Sequence, residues 1–104
     1  MTKTYWLSFV DEHRPAGERF LGVCIVEVTE ADAAAVRPRL PPQAQPGAEW
    51  IAAAMRRAWA LGCNPGGSVA SSELPGRAPV SAMNRLLSAE EAKAIEALLI
   101  REAP

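Results

Sequence analysis

The chain carries little of what most catalytic and metal sites are made from. There is one histidine, His13, and there are two cysteines, Cys24 and Cys63. A lone histidine and two distant thiols without companions form no metal-ligand cluster, so no metal centre is expected. The cysteines stand 39 positions apart, which also suggests no disulfide framework, and both are read as small buried hydrophobes in a reducing compartment. No apolar run approaches the roughly 20 residues that a membrane-spanning helix needs. Nor does the opening Met1-Thr2-Lys3-Thr4-Tyr5-Trp6 contain a signal-peptide core, so a cytoplasmic protein is expected. Basic charge is also scarce. Eleven bases face twelve acids for a net charge of −1, which gives no general attraction to a polyanion.

What is present is ordinary globular composition. Hydrophobic residues make up 49% and charged residues 22% of 104 positions, enough for one domain with one core. Thr4 to Val10 alternates Tyr5, Leu7 and Phe9 against Trp6, Ser8 and Val10, the period of a strand. Asp11 to Arg19, with Pro15, Gly17 and five charged side chains, is a solvated loop. Phe20 to Val28 is apolar on both faces as far as Glu27. That pattern fits a central strand covered on two sides, or one with a face reserved for a partner, including a second copy of the chain.

Thr29-Glu30-Ala31-Asp32 has the form of a capping box and opens a short Ala-rich helix to Val36. Four prolines between Arg37 and Gly47 predict an extended linker or insertion, not a helix. Ala48 to Leu61 reads as an amphipathic helix. At about 100° per residue, Trp50, Ile51, Ala54, Met55, Ala58, Trp59 and Leu61 share one face, while Glu49, Ala53, Arg56, Arg57 and Ala60 share the other. The tryptophan-bearing side is expected to bury. Gly62 ends the helix, Asn64-Pro65-Gly66-Gly67 makes a turn, and Val69 to Leu74 begins a short edge strand. Val80 to Leu87 fits either a fourth strand or an extended packing segment. Ser88-Ala89-Glu90-Glu91 caps a C-terminal helix with Ala92, Ile95, Leu98 and Leu99 along one line. The expectation is a single α+β domain over residues 1–104. It has a small, mainly antiparallel sheet of three or four strands, helices packed on one face, and the order β-β-α-α-β-(β)-α.

Each site-like motif competes with a plainer explanation. Gly66 and Gly67 resemble a phosphate cradle, yet phosphate loops place their glycines before a helix, whose N-terminus is positive. Here a helix precedes them and presents its negative end. Arg56 and Arg57, with Arg37, Arg39, Arg77 and Arg85 elsewhere, suggest a nucleic-acid surface, but Glu49 shares the helix face of the first two and favours a solvated, ion-paired one. A triad of Ser8, Asp11 and His13 lacks a nucleophile elbow. The dipole of the preceding helix would raise the pKa of Cys63, not activate its thiol. Of Trp6, Trp50 and Trp59, at least two should serve the core, and any left exposed would mark a contact surface.

The stretches Tyr5-Trp6-Leu7-Ser8-Phe9, Phe20-Leu21-Gly22-Val23, Ala58 to Gly67 and Met83-Asn84-Arg85-Leu86-Leu87-Ser88 together resemble a set of small uncharacterised bacterial and phage-associated proteins. That resemblance brings no activity, cofactor or catalytic residue. The sequence therefore points to a non-enzymatic protein-binding or regulatory module without a cofactor. A nucleic-acid-binding accessory protein using Arg56 and Arg57 is the alternative. A ligand binder or enzyme at the Asn64 to Gly67 turn with His13 is the weaker one.

Overall fold

The computed structural model describes residues 1–76 and 78–102, and from Ile100 onward the backbone alone. Arg77, one of the candidate basic residues, lies outside the described residues. Four antiparallel strands form one open sheet in the order β3-β1-β2-β4: β1 (Thr2–Val10), β2 (Phe20–Thr29), β3 (Ser68–Leu74) and β4 (Leu86–Leu87). Three helices complete an α+β fold: α1 (Glu30–Val36), α2 (Ala48–Ala60) and α3 (Ala89–Glu102). The element order is the expected one.

The β1–β2 ladder runs from Thr2 opposite Thr29 to Val10 opposite Phe20, with a bulge between Phe9 and Val10. Period-2 alternation then sorts the side chains. Tyr5, Leu7, Phe9, Cys24, Val26 and Val28 form one core with α1 and α2, all of them buried. Val23 and Ile25 enter a second core with Ala82, Leu87 and Ala92, against which Trp6, Met83 and Ile95 pack. Strand β2 is therefore covered on both sides, which accounts for its doubly apolar sequence and withdraws any need for a partner there. The helices divide accordingly. α1 and α2 lie on one face, while α3 packs on β2 and β4 from the other face, instead of joining them.

Both capping boxes form. Thr29 Oγ1 accepts from the Asp32 N–H at 3.1 Å, and Asp32 Oδ2 accepts from the Thr29 N–H at 2.9 Å. Ser88 and Glu91 exchange the same pair of bonds, each at 3.2 Å. Residues 37–39 of the proline-rich stretch are not extended. Pro38 lies in the first turn of a 3-10 segment (Arg37–Arg39), where its missing N–H costs nothing. The ambiguous stretch 80–87 splits into a 3-10 turn (Val80–Ala82) and the two residues of β4.

Two expectations about α2 and the cysteines are corrected. Helix α2 buries Trp50, Ala53, Ala54 and Ala58, whereas Trp59 is 71% exposed. The helix is rotated so that small side chains, not the second tryptophan, meet the sheet and α1. Ala33 of α1 is fully buried beside them, and alanines permit that close approach. Cys24 and Cys63 are joined in a disulfide, with Cα atoms 6.2 Å apart, inside the window of about 4.4–6.8 Å that such a bond requires. It fastens the middle of β2 to a position three residues beyond the end of α2.

Candidate interaction surface

The helix register decides which side chains reach solvent. With the alanine stripe turned inward, α2 presents Trp59, Ile51 and Met55 outward, together with Arg56 and Arg57 on the side of α1. Ile51 is 41% exposed, and Met55 is partly buried against the first core. Between α1 and α2 lies a shallow groove of about 230 Å³ lined by Asp32, Ala35, Ala53, Arg56, Arg57 and Ala60. Its carboxylate is already engaged. The bonds to the Thr29 backbone and hydroxyl, aided by the charge of Arg57, hold the Asp32 carboxyl below its ordinary value.

The two expected arginines are therefore brought together, but not with the expected turn. Other arginines are paired locally: Arg37 with Glu49 at 3.7 Å, Arg14 with Asp11 at 3.3 Å and Arg85 with Glu91 at 2.7 Å.

The Asn64 to Gly67 turn does open a strand. Gly62 follows the helix with φ +76°, and β3 starts at Ser68. The Gly66 N–H donates to Asn64 Oδ1 at 2.8 Å, so one amide that an anion would need is bonded within the turn. Gly67, at φ +73°, sits against the Val10 carbonyl, where a Cβ would collide with backbone. The glycines serve the approach of β3 to β1.

His13 lies exposed in the β1–β2 loop, its backbone N–H donating to Asp11 Oδ1 at 3.0 Å. The Asp11 carboxylate is thereby shared between that amide and Arg14, and no Ser8–His13–Asp11 relay is formed. Among the described residues no group of three or more His, Cys, Asp or Glu side chains is placed to hold a metal ion.

A second, polar hollow of about 450 Å³ lies where β1 meets the end of β3, lined by residues that include Lys3, Glu27, Glu73 and Pro75. Lys3 Nζ lies 3.7 Å from Glu73 and 4.6 Å from the centre of the Trp50 ring. Burial first, then the charges of Glu73 and Glu49, pushes the Tyr5 phenol above its usual value. These contacts tie β1, β3 and α2 together at one end of the sheet.

No protein family, curated protein or solved structure matches the chain significantly. No helix among the described residues is long and apolar enough to cross a membrane.

Proposed function

We propose that the chain is a non-enzymatic protein-binding or regulatory module whose contact face is the outward side of α2. The observation that carries this reading is Trp59, 71% exposed on a helix whose other tryptophan is buried. Folding gains little from a large aromatic left in water, whereas binding can desolvate its whole ring. Around it stand Met55, Ile51 and Arg56, and tryptophan, methionine and arginine are enriched in the buried centres of interfaces. Arg56 and Arg57 then supply orientation at the rim, where charge acts mainly on encounter rate and specificity.

The nucleic-acid reading draws on the same two arginines, adjacent along one groove. Against it stand Asp32 in that groove, the local pairing of Arg14, Arg37 and Arg85, and the net charge of −1. The cytoplasmic placement meets a specific objection. A buried structural disulfide favours an oxidising compartment, because cytosolic thiols are kept reduced.

The test compares immobilised wild-type protein with Trp59→Ala and Arg56→Ala in native host extract. Trp59→Ala should lose the captured protein while melting within about 2–3 °C of wild type, as expected for an exposed site. Capture of the same proteins by Trp59→Ala would end the proposal. Retention of wild type on heparin at moderate salt, lost on Arg56→Ala, would move the assignment to nucleic acid.

A further inference from the structure

Two open features meet on β3. Its outer edge carries no neighbouring strand among the described residues. On one sheet face, Val69 of β3 is only partly buried against the first core. On the other face, α3 packs on β2 and β4, and Ala70 and Ser72 of β3 stay exposed.

The two edges of the sheet are treated differently. β4 is two residues long, and just before it the Asn84 N–H bonds the Ile25 carbonyl at 2.9 Å, so that edge is short and partly closed. Exposed edges are ordinarily blunted by lysine, proline, a bulge or an inward charge. The seven residues of β3, Ser68-Val69-Ala70-Ser71-Ser72-Glu73-Leu74, contain no lysine or proline and pair with β1 in unbroken register. Their one charge, Glu73, is drawn toward Lys3 of the neighbouring strand.

We infer that β3 pairs antiparallel with β3 of a second copy of this chain, about a two-fold axis at Ser71, joining two sheets into one of eight strands. The strand can pair with itself in that register without a steric or charge clash. Ser71 faces Ser71 of the second copy, Ala70 faces Ser72, Val69 faces Glu73 and Ser68 faces Leu74. No like charges stand opposite, and the two Glu73 side chains are offset by four positions, about 13 Å along the strands. Small side chains at the centre let the backbones close without displacing a large group. The face used is distinct from Trp59, so this inference does not rest on the preceding proposal.

Register-specific cross-linking tests it, because the native cysteines are already joined and an added one is the sole free thiol. Under mild oxidation at tens of micromolar, Ser71→Cys should convert largely to a disulfide-linked dimer. Ser68→Cys, whose copies would lie about 20 Å apart, should stay monomeric. Wild-type protein should scatter light as about twice the 11.1 kDa chain. Ala70→Lys/Ser72→Lys, which sets lysine opposite lysine, should return the single-chain mass with an unchanged circular dichroism spectrum. A wild-type mass of one chain at about 100 µM, or cross-linking of Ser68→Cys as readily as Ser71→Cys, would overturn the inference. Trp59→Ala should leave the mass and the cross-linking unchanged, so the two proposals fail separately.

Discussion

Breaking the Cys24–Cys63 bond is the most informative perturbation of this fold. The bond closes a loop between positions 39 apart, which contains α1, the proline-rich stretch and all of α2. In the chain-entropy account, a closed loop of about 40 residues restricts the unfolded chain by about 13 cal/mol/K, or about 4 kcal/mol at 25 °C. Unfolding entropy near 2.1 cal/mol/K per residue gives this 104-residue chain about 0.2 kcal/mol/K, so Tm should fall by about 18 °C. Both cysteines are almost fully buried, at 0% and 3% exposure. Reductant must therefore wait for the structure to open, and reduction should be slow below the transition and fast within it. Two preparations separate the cross-link from packing. Chemically reduced wild type loses only the bond, whereas Cys24→Ala/Cys63→Ala also loses two buried sulfurs and should melt lower still. Thermal melts followed by circular dichroism, with thiols counted after denaturation without reductant, supply the readout. Two reactive thiols in the unreduced protein, or a Tm change below about 5 °C on reduction, would refute the reasoning.

Two further perturbations probe the turn and the charged caps. Gly67→Ala should cost at least about 2 kcal/mol, about 10 °C in Tm, since it adds a collision with the Val10 carbonyl to the left-handed strain. Gly66→Ala, with open space around it, should cost only about 1–2 kcal/mol, and equal losses would show that the close approach of β3 to β1 is misread. Acid should destabilise the chain through both capping boxes. Asp32 is lowered by its bonds to Thr29, and Glu91 by Arg85 and then by the Ser88 backbone. A depressed carboxylate stabilises above its unfolded value, near pH 4, and loses that contribution as pH falls through the folded value. Tm should thus hold from pH 7 to about 5 and decline below about 4, and equal Tm at pH 6 and pH 3 would contradict it. At the alkaline end the raised Tyr5 contributes stability below pH 10, lost as pH rises past its folded value.

Where the determinants are local, the fold was legible in the chain. The alternation of Tyr5, Leu7 and Phe9, the two capping boxes and the Gly62 stop each act within a few residues, and each produced its element. Phe20 to Val28 also showed its central place, because only a strand covered on both sides needs apolar residues at successive positions. The failures are long-range. Nothing near Cys24 or Cys63 marks them as partners; they meet because α2 crosses β2 and ends beside it. The rotation of α2 was hidden for a related reason. A projection of hydrophobicity weights Trp59 above Ala53, but contact with α1 selects for small volume and turned the helix toward its alanines.

That rotation also explains why the candidate surface was only partly visible. Arg56 and Arg57 stand out in the sequence as charges, whereas Trp59, on which the proposed contact face depends, falls on the hydrophobic side of the helical projection. Glycines such as those of the Asn64 to Gly67 turn can cradle anions. Here the same freedom is spent on geometry, since Gly66 bonds Asn64 and Gly67 lets β3 reach Val10. Strand β3 is thereby laid against β1 at the rim of the sheet, with its other side open. The turn thus helps to build the edge on which the proposed second copy would pair. Loosening it should therefore cost association as well as stability: Gly67→Ala, studied below its lowered Tm, should weaken dimer formation even where the monomer stays folded.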